Sequence, residues 1–394
     1  MAEPVKQFAN YQYEIYLSGT GGHVPELPIF PARLEERARE VMSPEAFGYV
    51  AAGAGSEATV RANREAFENW RIVPRMLRDV GERDLSTEIL GTDLAAPLML
   101  APVGVQSIVH PEAELAVARA AAREGVGLCL STAASRTLEE VAEALEGTPR
   151  WFQLYWPSDR ELAVSLLSRA EAAGYSAVVV TLDTWLLAWR PRDLERAYLP
   201  FLRGEGLANY FSDPVFRAAL DQPPEEDLQA AVGHWISVFS DPTVTWEDLA
   251  FLRESTGLPI VLKGILHPDD ARLAAEHGMD GVLVSNHGGR QVDGAIGALD
   301  ALPAVVDAVP EDFPVLFDGG VRSAADAVKA IALGARAVLL GRPYVWGLGI
   351  AGEDGVRQVL RGFLAELDLT LALSGHTSFA EVGREDLEVP RNLG

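Results

Sequence analysis

The stretch Gly281-Val-Leu-Val-Ser-Asn-His-Gly-Gly-Arg290 joins a short apolar run to a polar, glycine-rich turn. Consecutive apolar residues without polar alternation suit a strand buried on both faces, as in a parallel sheet. The same grammar recurs seven times, at 97–102, 127–132, 151–155, 177–183, 259–264, 314–320 and 337–343. Between the runs lie Ala-rich, charged segments with helical spacing, at 111–124, 158–173, 268–277 and 323–333. Ser158-Asp159 and Ser323 stand where helix caps belong. Eight strand–helix units predict an α/β chain folded as a (β/α)8 TIM barrel. An open, doubly wound sheet is the alternative, but eight units with no natural stop favour closure.

One unit breaks the rhythm. After the run at 177–183 an insertion, residues 190–246, delays the next strand; it carries Pro223-Pro224, an acidic run and many aromatics. A loop after a barrel strand lies over the active-site mouth, so this one is expected to form a lid. Residues 1–96 precede the barrel without a linker-like stretch, with a helix expected over 33–52 and a short strand or hairpin arm over 84–90. The chain thus reads as a single domain: an extension at 1–96, a barrel core at 97–350 and C-terminal helices at 351–394.

Composition narrows the function. There are 33 Lys and Arg against 57 Asp and Glu, a net charge of −24, which disfavours nucleic acid and anionic membranes. An anionic substrate remains possible where arginine or lysine is placed locally. Cys129 is the only cysteine, so no intrachain disulfide can form. Residues 1–30 show no basic start followed by an apolar core, and the longest apolar run, 95–105, is too short to span a bilayer. A cytoplasmic protein is expected.

In a barrel, polar residues at the carboxyl ends of strands read as chemistry. Here those ends carry Ser131, Gln153, Tyr155, Thr181, Asp183, Lys263, Ser285, Asn286 and His287, then Asp318-Gly319-Gly320-Val321-Arg322 and Gly341-Arg342. Loops after strands seven and eight are this fold's usual phosphate grip, and Gly319-Gly320 with Arg322, and Gly341 with Arg342, meet that need. Lys263 is poorly suited to packing; it could stabilise negative charge, form a Schiff base or pair with a carboxylate. A neutral His287 could take a proton from a hydroxyl, oriented by Asp183. Arg290 and Arg190 could bind a carboxylate, which a guanidinium fork matches. Base, orienting acid and clamp together describe oxidation of a 2-hydroxy acid. The sequence has no metal-ligand spacing of histidines and no Gly-x-Ser-x-Gly elbow.

Lys263-Gly264, Ser285-Asn-His-Gly-Gly-Arg-Gln291, Asp318-Gly-Gly-Val-Arg322 and Leu340-Gly-Arg-Pro343 resemble the FMN-dependent L-2-hydroxy-acid oxidase/dehydrogenase family, from about Glu35 to the C-terminus. Within that family the insertion, with Thr181-Leu-Asp-Thr-Trp185, Trp189-Arg-Pro-Arg-Asp-Leu194, Asn209-Tyr210 and Thr245-Trp-Glu-Asp248, is most similar to that of the lactate 2-monooxygenases. The resemblance implies FMN as cofactor and His287 as the base, paired with Asp183. It implies that Arg290, Arg190, Tyr49 and Tyr155 hold the substrate, the two tyrosines acting in catalysis as well. Tyr49, in Phe47-Gly-Tyr-Val-Ala-Ala-Gly-Ala54, would otherwise pass for a core aromatic. Lys263 is implied near flavin N1 and O2, and Pro102-Val103-Gly104 along the flavin face near N5. Ser131, Gln153, Thr181 and Ser285 are implied to bind the ring and ribityl chain, and Asp318, Gly320, Arg322, Gly341 and Arg342 the ribityl and phosphate.

Two departures stand out. Ala133 occupies a position where several family oxidases carry a bulky aromatic, so either the pocket is larger or the lid fills the gap. Gly104 stands where some carry alanine. The first expectation is lactate 2-monooxygenase, converting L-lactate and O2 to acetate, CO2 and water. The alternatives are an oxidase releasing ketoacid and H2O2, a dye- or quinone-linked dehydrogenase, or a flavin- or phosphate-binding barrel without redox turnover. The insertion is too charged, at Glu225-Glu226-Asp227, to lie in lipid. The resemblance further implies a homotetramer or octamer.

Overall fold

The computed structural model describes residues 7–389. Residues 1–6 and 390–394, the outermost parts of the expected extension and C-terminal segment, lie outside the described residues. The extension carries helices α1 (Asn10–Thr20), α2 (Pro31–Val41), α3 (Pro44–Ala51) and α4 (Ala58–Glu68). The single helix expected over 33–52 is thus two. Ser43 precedes Pro44, and a residue before proline is driven out of the helical region. Ser43 is accordingly extended and caps the second helix, its Oγ accepting from Ala46 N at 3.1 Å. The expected arm is a hairpin, Thr87–Ile89 paired with Thr92–Leu94.

Eight parallel strands then close into a barrel: β1 (Leu98–Leu100), β2 (Gly127–Ser131), β3 (Arg150–Tyr155), β4 (Val178–Thr181), β5 (Ile260–Ile265), β6 (Gly281–Val284), β7 (Val315–Phe317) and β8 (Val338–Leu340). Closure is made where Val338 pairs with Leu98. Six of these strands consist wholly of buried residues, which explains their unbroken apolar runs. An apolar inward layer with one side chain from each strand, such as Met99, Trp151 and Leu339, fills the barrel below the polar strand ends, and Ile89 and Leu94 of the hairpin join that cluster. Trp151 Nε1 donates to Thr92 Oγ1 at 3.0 Å, fastening the hairpin.

Around the barrel run α5 (Glu114–Glu124), α6 (Leu138–Ala144) and α7 (Arg160–Ala172). The insertion after β4 contributes the short helices α8 (Pro191–Leu194), α9 (Ala208–Phe211) and α10 (Pro214–Ala218), then α11 (Leu228–Val238). After these come α12 (Leu249–Ser255), α13 (Pro268–Glu276), α14 (Ala298–Val306) and α15 (Ala324–Ala332). The last helix, α16 (Arg342–Ser374), runs through residue 350 and kinks at Ala351 and Gly352, so the barrel passes into the C-terminal segment without a break. Leu387–Glu388 then pairs with Arg71–Ile72 of the extension. Among the described residues no helix is long and apolar enough to cross a membrane.

Candidate active site

The turn after β6 is tight. His287, Gly288 and Gly289 have φ of +57°, +63° and +77°, three successive residues in the left-handed region. For His287, which has a Cβ, such a conformation costs roughly 1–3 kcal/mol. Ser285 Oγ accepts from His287 N at 3.0 Å, and Asn286 Oδ1 from Gly289 N at 3.1 Å. The strain is thereby held against relaxation, and the imidazole stands at the barrel mouth.

His287 Nδ1 lies 2.7 Å from Asp183 Oδ1 at the end of β4. Thr184 Oγ1 donates to the same carboxylate oxygen at 2.9 Å. Lys263 Nζ, buried, is 3.5 Å from Asp183 Oδ2 and 3.9 Å from Asp318 Oδ2, so the carboxylate pairing foreseen for this lysine is present. Burial would raise the Asp183 carboxyl, but Lys263 and His287 hold it well below the usual range. Desolvation pushes His287 down to about 4, Asp183 opposing and Lys263 assisting. An ionised Asp183 facing a neutral imidazole fixes the proton on Nδ1 and leaves the Nε2 lone pair free. Gly264, at φ +106°, makes the approach possible: a Cβ there would come within 2.9 Å of the Asp183 Cβ.

Three chain regions supply the cationic flank. Arg290 Nη1 donates to the backbone carbonyls of Tyr49 (2.6 Å) and Ala52 (2.9 Å), and its guanidinium lies 5.0 Å from the Tyr49 ring centroid. The extension thus brings Tyr49 into the site. Arg190, from the insertion, donates to Arg290 O at 3.0 Å and to Gln291 Oε1 at 2.8 Å; Gln291 Nε2 in turn donates to Asp183 O at 2.7 Å. Desolvation lowers Arg290 to about 10, with Arg190 adding to the effect.

A second cationic group stands at the start of α16. Arg342 donates to the carbonyls of Val50, Gly288 and Ala52 at 3.0, 3.1 and 3.0 Å. Desolvation, followed by repulsion from Arg322, lowers it to about 9. Among the described residues neither Arg322 nor Arg342 has a carboxylate ion-pair partner; both donate to backbone carbonyls. A Cβ on Gly341 would meet nothing nearer than 3.8 Å, so the backbone at the head of this helix is open to approach. Two undercompensated guanidiniums beside a helix N-terminus fit a phosphate.

These groups share one cavity of about 420 Å³. Tyr49, Pro102, Val103, Gly104, Ser131, Tyr155, Arg190, Lys263, His287, Arg290, Asp318, Gly320, Arg322, Gly341 and Arg342 all lie on its wall. Gln153, Thr181 and Ser285 are buried, and Asp183 joins the cavity through its bond to His287. Gln153 accepts from Ser131 Oγ and donates to Thr181 Oγ1, both at 2.9 Å, forming a polar chain across β2, β3 and β4. The insertion roofs the cavity with Leu199, Phe201, Trp235 and Phe239. Successive ring centroids from Tyr155 through Phe239 and Trp235 to Phe201 are 5.1, 4.9 and 4.9 Å apart.

The insertion also settles the setting of Ala133. Ala133 and Phe201 line the same cavity, and a Cβ on Gly206 of the insertion would be 3.0 Å from Ala133 O, so it is the insertion's backbone that packs beside Ala133. Gly104 has its own reason: a Cβ there would be 2.5 Å from Ala133 O.

Sequence reasoning missed Asn63 on α4. Its amide exchanges two hydrogen bonds with Asn286, at 2.8 and 2.7 Å, and its Oδ1 accepts from Ala298 N. The next residue, Arg64, bonds Gly320 O and pairs with Asp326 at 2.7 Å. Thr184 and Gln291 were also passed over; both adjoin residues that had been singled out.

A family model described as FMN-dependent dehydrogenase matches residues 38–389. An FMN-dependent alpha-hydroxy acid dehydrogenase of Penicillium citrinum is 47% identical, over 97% of this chain and 96% of its own. An L-lactate oxidase of Lysinibacillus sphaericus is 46% identical over 89% and 90%. Among solved structures, a mandelate oxidase superposes with a TM-score of 0.81 at 41% identity, over 92% of this chain and 98% of that one.

Proposed function

Because the chain belongs to the FMN-dependent dehydrogenase family, with FMN as its cofactor, we propose that its cavity oxidises a small L-2-hydroxy acid with His287 as base. The FMN-dependent oxidoreductase activity toward 2-hydroxy acids is the family's own; the assignment of residues is ours. Bound FMN would accept the two electrons that leave with the α-hydrogen. His287 Nε2 takes the hydroxyl proton, and Asp183 balances the charge that the imidazole then gains. Arg290 and Arg190 hold the carboxylate, with Tyr49 and Tyr155 beside the hydroxyl. Asp318, Gly320, Arg322, Gly341 and Arg342 would hold the ribityl chain and phosphate. Lys263 would place positive charge where the ring gains electron density, and Pro102, Val103 and Gly104 would form the facing wall. Ser131, Gln153, Thr181 and Ser285 would hold the ring and ribityl chain.

The finer reading is lactate 2-monooxygenation: L-lactate and O2 give acetate, CO2 and water. The single observation supporting it is the aromatic roof over Tyr155, which would keep the ketoacid beside the reduced site until oxygen arrives. Lactate incubated in air should yield acetate and CO2 with little free peroxide. Stoichiometric pyruvate and H2O2 would instead establish a simple oxidase, the reading favoured by relatives named L-lactate oxidase. Faster reduction of a quinone dye than of O2 would establish a dehydrogenase. Oxygen as co-substrate, a homo-oligomer and a cytoplasmic location belong to the same proposal.

A further inference from the structure

Glu114, in the first turn of α5, turns its carboxylate inward and is 1% exposed. Its Oε1 accepts from two backbone amides on different loops, Gln106 N at 3.3 Å after β1 and Ser135 N at 3.0 Å after β2. Its Oε2 is buried and has no hydrogen-bond partner. None of the chemistry described above uses this group.

The loops that Glu114 joins meet again nearer the cavity. Val105 N donates to Ala133 O at 2.8 Å, and Ser107 N to Ser135 Oγ at 3.1 Å. Gln106 Nε2 donates to the carbonyl of Val103, a cavity-wall residue, at 2.9 Å. Ser135 Oγ bonds Ser107 Oγ at 2.9 Å, and Ser107 Oγ donates to the carboxylate of Glu205 in the insertion. Ala208 N, also from the insertion, donates to Ala134 O at 3.1 Å. Between these points Val105 sits at φ +59°, a strained conformation for a β-branched residue.

We infer that Glu114 is a positioning residue: it fixes the loops after β1 and β2, and through Ser107 the insertion, as one wall of the cavity, and its protonation state sets how firmly that wall is held. The inference rests on the proposed function only in taking that wall to face the substrate.

The groups facing Glu114 are Arg136 from the β2 loop, Tyr344 from α16 and, through the serine pair, Glu205 from the insertion. Burial pushes the Glu114 carboxyl up to about 7; the Ser135 and Gln106 amides and Arg136 oppose it incompletely. A folded-state value raised above the ordinary one means that the native protein holds a proton which the unfolded chain has lost. Stability is therefore lost as pH rises from the ordinary glutamate range through about 7. Above that the carboxylate is charged with one oxygen unsatisfied.

The test compares wild-type holoenzyme with Glu114→Gln, which keeps the Oε1 acceptor and cannot ionise. Melting temperature, kcat and KM are measured from pH 5 to 8.5. The wild type should lose melting temperature relative to the variant through pH 7. Its kcat should show a limb centred near 7 that the variant lacks, with KM moving less than about twofold. Parallel melting curves with identical kcat profiles would overturn the inference. If the variant fails to fold, Ser107→Ala decides: cutting the relay should remove the kcat limb and leave the melting limb, and an unchanged kcat profile overturns the inference. If no 2-hydroxy acid turns over even with wild type, the proposed function fails, and the melting curves still decide the role of Glu114.

Discussion

His287 Nδ1 and Asp183 Oδ1 lie 2.7 Å apart although 104 positions separate them in the chain, and Lys263 stands 3.5 Å from both partners. This contact assigns the imidazole its tautomer. Asp183→Asn would offer Nδ1 a competing donor and turn the lone pair away from the substrate. Anaerobic flavin reduction should slow by on the order of 10³–10⁴, the penalty for removing a triad carboxylate. With the base held near 4, the reduction rate should fall about tenfold per unit below that pH. A rate near wild type in Asp183→Asn would remove His287 as the base.

Arg342 tests the phosphate assignment. Arg342→Met removes a charge and three hydrogen bonds to carbonyls. FMN affinity should fall by about 1.5–3 kcal/mol, roughly 10- to 150-fold, as read by fluorescence titration. Unchanged affinity would leave the phosphate assignment without support.

Gly104→Ala probes the β1–β2 contact. The added Cβ would overlap Ala133 O, a backbone atom that cannot rotate away. A loss of about 1–3 kcal/mol is expected in denaturant melts. Adding Ala133→Gly should restore little, because the carbonyl remains; full rescue would show the clash to be with the side chain.

Asn63→Ala leaves the Asn286 amide half-satisfied in a buried setting. The cost should be about 1–3 kcal/mol. The double variant with Asn286→Ala should lose less than the sum of the two single losses. Strict additivity would show that the amide pair does not act as a unit.

The eight strands were legible because burial on both faces writes an unbroken apolar run. The site residues at their ends were legible because a barrel places chemistry at one predictable end of each strand. Residues that reach the site from elsewhere had no such signal. Asn63 lies in an ordinary amphipathic helix and finds Asn286 across 223 positions. Glu114 reads as a first-turn acid on a surface helix, a pattern identical whether the carboxylate faces water or the core. The helix over 33–52 was read through its break because apolar spacing continues across Ser43-Pro44, where backbone sterics rather than hydrophobicity decide. Gln153 and Thr181 lie in β3 and β4 and Ser285 directly follows β6; how far each side chain reaches toward the cavity depends on barrel stagger, which a linear pattern does not carry.

The bond from Arg190 to the carbonyl of Arg290 joins a residue of the insertion to one of the barrel. With Arg190 and Arg290 holding the carboxylate as proposed, half of that grip would come from the roof. By thermodynamic reciprocity, whatever factor closure adds to carboxylate affinity, a bound carboxylate returns to closure. Departure of an acid from this cavity and loosening of its cover would then be two faces of one equilibrium. Gln291, which bonds both Arg190 and the Asp183 carbonyl, would then be placed to tune residence time without touching a ligand.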